Sequence, residues 1–305
     1  MPKWKMRAGF SAGRRALLTA LPSGLLLTGA SWLPASAQPR PAQRPKVVSV
    51  GAGVTEIVYA LQAQSQLLAV DTSSLYPQAA LALPKVGYQR TLSAEGVLGM
   101  GPQVLLAGQE AGPPAVLRQI ESAGVKVVPV QGDYTFEGVI ERIRIVAEAL
   151  GRQAEGQALT AALTARWQAL QARMAAAPLR GPGGQPLRVA CLMRHGASTM
   201  AAGRDTGADA MLRLIGAVNV FGNDFSNYKP LSAESLAHAA PDAVVGTFDG
   251  TQEADARSRL LATPGLAMTP AGQAQRAVLF DIVLLLGFGP RLPQAVEDLY
   301  SALRT

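Results

Sequence analysis

Tyr88 and Arg90 stand two residues apart in Gly87-Tyr-Gln-Arg-Thr-Leu-Ser-Ala-Glu95. In an extended segment both side chains point to one side, so a cation would lie beside a phenol and favour its ionised form. The last four residues of that stretch recur in Tyr228-Lys-Pro-Leu-Ser-Ala-Glu234, at an offset of 139 residues. Pro102 and Pro241, each opening an apolar run, repeat at the same offset. In each copy Ser opens a helix and Glu lies in its first turn, where the dipole favours a carboxylate. Glu95 and Glu234 therefore read either as two caps or as a matched pair of surface charges.

The remaining reactive groups are few. His195 follows an apolar strand, at the point where an α/β unit presents its ligand-contacting loops. The chain has two histidines and one cysteine, which leaves little for a disulfide framework, a zinc or iron–sulfur site, or a Ser-His-Asp set. His238, on a solvated helix face after Glu234, takes no role. Val50-Gly51-Ala-Gly53-Val-Thr-Glu56, with Asp71 twenty residues past Gly51, nearly reproduces a dinucleotide fingerprint. Glu56 replaces its third glycine and would crowd the helix–strand packing and repel pyrophosphate. An exported Rossmann-type enzyme is thus only a remote alternative.

The elements that must position these groups alternate along the chain. Short apolar strands are predicted at 46–50, 67–70, 104–107, 125–130, 189–192, 243–245 and 277–280, with helical stretches between them. That alternation predicts α/β architecture with parallel sheets. Strand signals vanish from Glu137 to Ala177, where Leu159, Leu163, Trp167, Leu170 and Met174 step by three and four along one helix face. Gly151 separates this helix from an earlier one, and a Gly/Pro-rich break over 178–186 ends it. The expected fold is two Rossmann-like α/β lobes joined by a single long helix, with a ligand cleft between them. The boundaries are an N-terminal lobe at 46–136, a helical segment at 137–178 and a C-terminal lobe at 187–305.

A formal charge of +7 suggests nucleic acid or anionic lipid as a partner. Position removes that suggestion. Lys3, Lys5, Arg7, Arg14 and Arg15 precede an apolar run over 16–27 and a small-residue end, Ala35-Ser-Ala37. These are the three parts of a secretory signal peptide over 1–37, followed by a Pro-rich leader over 38–45. The apolar run is too short to span a bilayer and is interrupted by Pro22. Arg14-Arg15 leaves Sec and twin-arginine export both open. Without this segment, which holds five basic residues and no acid, 23 basic residues face 21 acidic ones over 268 residues. The expectation is a soluble, nearly neutral periplasmic protein, cleaved after about Ala37, without a lipid-anchoring cysteine there and with no nucleic-acid partner.

An exported two-lobed chain with a long linking helix resembles the substrate-binding proteins of ABC importers for iron chelates, haem and cobalamin. Four stretches are similar to the haem-binding members: Gly87 to Glu95, Ala201-Ala-Gly-Arg-Asp-Thr-Gly-Ala-Asp209, Tyr228 to Glu234, and Leu286-Gly-Phe-Gly-Pro-Arg291. The resemblance runs from about Lys46 to the C-terminus, and Tyr-x-Arg-x-Leu-Ser-Ala-Glu is its specific part.

The resemblance implies a monomeric binding protein, not an enzyme, that carries haem and meets the inner membrane only through a dimeric permease. It implies that Tyr88 is the axial ligand of ferric haem. A phenolate oxygen suits that hard centre, and the iron's charge, helped by Arg90, offsets a phenol pKa near ~10. His195 is then a second axial nitrogen, the ligand of a second haem, or a plain loop histidine. Arg90, Lys229, Arg204 and Arg291 are expected to meet the haem or its two propionates, with Tyr76 either facing the same cleft or packing against Pro77. At 229 a lysine would be a point charge instead of a bidentate clamp. Glu95 and Glu234 are expected to dock onto basic residues of the permease. A long helix also resists wide hinge closure, so motion on binding should be modest. A ferric siderophore or cobalamin is the alternative cargo. A siderophore already saturates its iron and needs no axial ligand, so the Tyr88–Arg90 pair favours haem.

Overall fold

Val47–Val50 is an apolar run of four residues, too short for a helix, and all four are buried. It forms β1, inside a four-stranded sheet. The computed structural model describes residues 44–195, 198–248 and 253–304, which fall in one compact unit, Gln43–Thr305. The expected signal peptide over 1–37 and the leader up to residue 43 lie outside the described residues.

After β1 come α1 (Ala52–Ala60), β2 (Leu67–Val70), α2 (Ala94–Leu98), β3 (Val104–Gly108), α3 (Pro114–Ser122) and β4 (Lys126–Val130). The strands pair in the order β2-β1-β3-β4, all parallel. Alternate residues serve opposite faces. Val47, Val104 and Leu106 enter one apolar cluster, and Val48, Val50, Leu105 and Ala107 enter another. Both faces are therefore covered, as a parallel sheet requires.

The chain leaves this sheet through α4 (Phe136–Leu150) and α5 (Gln153–Ala176). Thr135 caps α4 by accepting from the Gly138 N–H at 3.0 Å, and Gly151 ends it with a left-handed φ of 65°. Leu163, Trp167 and Leu170 are buried along α5, with Leu159 and Met174 half-buried beside them. Trp167 stacks on Phe136 with ring centroids 5.1 Å apart. Both helices that Gly151 separates in the sequence thus lie between the sheets. The 15-residue α4 packs on α1 and β4, while the 24-residue α5 packs on α4 and on the C-terminal helix.

The second sheet is built from β5 (Arg188–His195), β6 (Ser198–Ala202), β7 (Val218–Asn219), β8 (Tyr228–Pro230), β9 (Ala243–Phe248) and β10 (Ala277–Asp281). Between and after them lie α6 (Gly207–Leu214), α7 (Ala233–Ala239), α8 (Glu253–Leu261), α9 (Pro270–Gln273), α10 (Ile282–Leu286) and α11 (Leu292–Arg304). The order is β10-β9-β5-β6-β8, with β7 also on β5. β10, β9 and β5 run parallel, but β6 is antiparallel to both its neighbours. The purely parallel expectation fails here for a geometric reason. His195 pairs with Ser198, a hairpin with two residues between, whereas a parallel crossover needs about a dozen.

One apolar cluster runs from Val47 through α4 and α5 to Leu303, drawing on both sheets, while the far face of each sheet has a smaller cluster of its own. Among the described residues no helix is long and apolar enough to cross a membrane.

Candidate ligand-binding site

The glycine turn after β1 is closed by its own neighbours. The Gly51 N–H donates to Asp71 Oδ1 at 2.9 Å, and Asp71, fully buried, also accepts from the Ser73 N–H and from both the Ser73 and Ser74 hydroxyls. A hydroxyl chain continues from Ser74 to Thr55 (2.8 Å) and Ser49 (2.9 Å). The carboxylate that would hold a ribose is used within the turn. A Cβ on Gly53 would lie 2.1 Å from the Gly287 carbonyl oxygen, so this glycine admits the segment after α10, not a pyrophosphate.

Glu56 has a partner from that same segment. Arg291 donates to it twice, at 2.9 and 2.6 Å, and its guanidinium lies 3.5 Å from the centroid of the Tyr76 ring. Burial pushes the Glu56 carboxyl above the ordinary glutamate range, against the opposing pull of Arg291. Arg291 was expected among the propionate cations. Its fork instead ties the second sheet's end of the chain to α1, and Tyr76 covers that pair.

Tyr88 is 45% exposed and opens a short 3-10 turn, Gln89–Thr91, so the extended segment expected to set Arg90 on the same side as Tyr88 is not formed. Thr72 N–H donates to the Gly87 carbonyl, Gly112 N–H to the Gln89 carbonyl, and Leu92 N–H to the Gly112 carbonyl, each at 2.9 Å. Arg90 pairs with Glu110 at 2.8 Å, and the other oxygen of Glu110 accepts from the Tyr134 hydroxyl at 3.0 Å. Burial, with the Glu110 charge adding to it, pushes the Tyr134 phenol up to about 12. The Tyr134 ring packs 4.9 Å from Phe288. Behind it the buried Arg142 donates to the carbonyls of Phe288 (3.0 Å) and Gly132 (2.5 Å) and to Gln109 (3.2 Å).

The second sheet contributes a platform on its β8 edge. Ala202 pairs with Tyr228, and Arg204 exchanges backbone hydrogen bonds with Phe225 and Asn227. Gly203 is obligatory there, since a Cβ would meet the Phe225 carbonyl oxygen at 2.2 Å. Thr206 caps α6, and Asp209 holds Asn219 at 2.9 Å, so the Gly-Arg-Asp-Thr-Gly-Ala-Asp stretch is first a structural corner. Arg204 and Lys229 are exposed on this platform, with the Lys229 ammonium 5.4 Å from the Phe225 ring centroid and Arg204 3.8 Å from Asp205. Burial pushes the Tyr228 phenol well up, with Tyr134 and Arg90 among the groups whose charges act on it.

His195 is the last residue of β5; its imidazole lies outside what is described. Glu95 and Glu234 are exposed in the first turns of α2 and α7, capped by Ser93 (3.2 Å from the Gly96 N–H) and Ser232 (3.1 Å from the Ser235 N–H). Glu110, Tyr134 and Arg142 had no motif to mark them. The usable signal was positional, because Glu110 and Tyr134 lie just past the carboxyl ends of β3 and β4, where parallel sheets collect ligand groups. Among the described residues no cluster of three or more His, Cys, Asp or Glu could hold a bare metal ion. The chemistry present is that of phenols, fork cations and apolar ring faces.

A family model described as periplasmic binding protein matches residues 47–281, from the first residue of β1 to the last of β10. The chain belongs to the periplasmic binding protein family. Among solved structures, the periplasmic haem-binding protein BhuT, in complex with two haems, is 43% identical. That match covers 85% of this chain and 98% of BhuT, with a TM-score of 0.78. The haem-binding protein RhuT of Roseiflexus sp. RS-1, in apo form, is 34% identical over 86% and 98% of the two chains, also with a TM-score of 0.78. Among curated relatives, the ABC transporter substrate-binding lipoprotein YvrC of Bacillus subtilis, described as uncharacterized, is 25% identical over 85% of this chain and 79% of its own length. The vitamin B12-binding protein of Vibrio cholerae is 26% identical over 68% and 71%.

Proposed function

We propose that this periplasmic binding protein carries haem to an ABC-type permease for haem and iron uptake. The observation that carries the reading is the exposed Tyr88 on a pinned segment, two residues from Arg90, in a chain 43% identical to a haem-binding protein. Ferric coordination by the Tyr88 phenolate is the mechanism, and Arg90, Lys229 and Arg204 are the cations for the propionates. His195, at the end of β5, supplies a further nitrogen or serves a second haem. Arg291, which donates twice to the buried Glu56, is assigned to that pair and not to a propionate in this reading. The protein acts as a carrier and not an enzyme, as a monomer exported through the 1–37 signal into the periplasm. Glu95 and Glu234, alike in sequence, cap and exposure, dock onto the two halves of a dimeric permease.

The test is a haemin titration of the wild type and of Tyr88→Phe. The wild type should show a phenolate-to-iron charge-transfer band that the variant lacks; an unchanged band in the variant would overturn the ligand assignment. Charge reversal at both Glu95 and Glu234 should abolish uptake with haem binding intact. A second reading, cobalamin, is favoured by the curated B12-binding relatives. Cyanocobalamin titrated in parallel separates the two, and a ferric siderophore is the remaining alternative if neither binds.

A further inference from the structure

Arg90 and Glu110 come from two loops whose separation the backbone fixes. The Gly112 N–H meets the Gln89 carbonyl and the Leu92 N–H meets the Gly112 carbonyl, on either side of the pair. The Arg90–Glu110 contact at 2.8 Å is between side chains that are 51% and 36% exposed, so incoming groups can reach it. Glu110 is steadied on its inner oxygen by Tyr134, and its outer oxygen holds the guanidinium. Arg142 does not relieve it, since that cation is turned onto the carbonyls of Gly132 and Phe288 and onto Gln109. Glu110 thus presents to Arg90 what a ligand carboxylate would present.

We propose that Glu110 is a built-in competitor for the ligand's carboxylate and sets the specificity of the site. This rests on the haem reading and deepens it. A haem propionate can take Arg90 from Glu110 by exchanging one charge-assisted hydrogen bond for another. An amide side chain, such as a corrinoid carries, offers no charge in return, so the pair stays closed against it. Both tetrapyrroles fill similar space, and the difference in their peripheral groups is what the pair reads.

The experiment compares haemin, haemin dimethyl ester and dicyanocobinamide on the wild type and on Glu110→Gln. The exposed pair is worth little to folding, so Glu110→Gln should fold as the wild type does. Without its competitor Arg90 is free, and haemin affinity should rise about threefold to fivefold, which is the worth of an exposed ion pair. The dimethyl ester keeps the iron and loses the carboxylates, so its affinity should be the same on both proteins. On the wild type alone, haemin should bind more tightly than the ester. Weaker haemin binding by Glu110→Gln, or an equal change for haemin and ester, would overturn the proposal and leave the haem reading standing. Failure of the wild type to bind either iron porphyrin would overturn both.

Discussion

Arg291 and Glu56 meet through two hydrogen bonds of 2.9 and 2.6 Å, joining α1 of the first sheet to the turn between α10 and α11 of the second, 235 residues away. The glutamate side chain is 4% exposed and the arginine 22%. Breaking one partner of such a pair strands the other in a desolvated place. Arg291→Met should lose roughly 3 kcal/mol in urea unfolding at neutral pH. The double variant Glu56→Gln with Arg291→Met should be more stable than Arg291→Met alone, because no unpaired charge remains.

Gly53 offers a test of sign. Glycine to alanine inside a helix ordinarily stabilises by about 1 kcal/mol. Here the new Cβ would stand 2.1 Å from the Gly287 oxygen, so Gly53→Ala should destabilise by about 2 kcal/mol. Gly96→Ala in α2, where the nearest atom is 3.5 Å away, is the control and should be neutral or stabilising in the same thermal melts.

These two residues also show where reading the sequence succeeds and stops. Strands and caps were legible because they are local: the β2 run at 67–70 and the Ser93 and Ser232 caps are set by neighbours a few residues away. The stripe on α5 was legible for the same reason, since its period of three and four is a property of one helix. Glu56 looked like a blemish in a glycine motif, and Arg291 like a free cation, because nothing local links positions 235 residues apart. Glu110 was invisible for a similar reason: its meaning comes from Arg90 and Tyr134, each on a different loop. The antiparallel β6 escaped notice because strand direction is decided by connection length, which short apolar runs do not encode.

Tyr134 makes a prediction about alkaline pH. Its folded value of about 12 lies above that of a free phenol, so the folded state holds this proton more tightly than the unfolded chain does. Its contribution to stability is full below about 10 and is lost as pH rises through 12. Tyr134→Phe should remove one phenol that titrates near 12 in absorbance at ~295 nm, and should flatten the alkaline fall in stability.

Cys191 should be chemically silent. It is 1% exposed in β5, and burial pushes its thiol up to about 12. Thiolate is the reactive form, so a thiol reagent should find no group in the native protein at pH 8 and one per chain after denaturation. Rapid native labelling would contradict the burial of β5.

The apolar cluster that threads both sheets, α4, α5 and α11 has a consequence for cooperativity. Two sheets with separate cores could melt in two steps, each half holding while the other opens. With Phe136, Trp167, Leu299 and Leu303 in one contiguous interior, neither half keeps its apolar surface covered once the other is lost. Calorimetry should therefore record a single transition whose calorimetric and van't Hoff enthalpies agree. A fragment cut within α5 should fail to fold on either side of the cut.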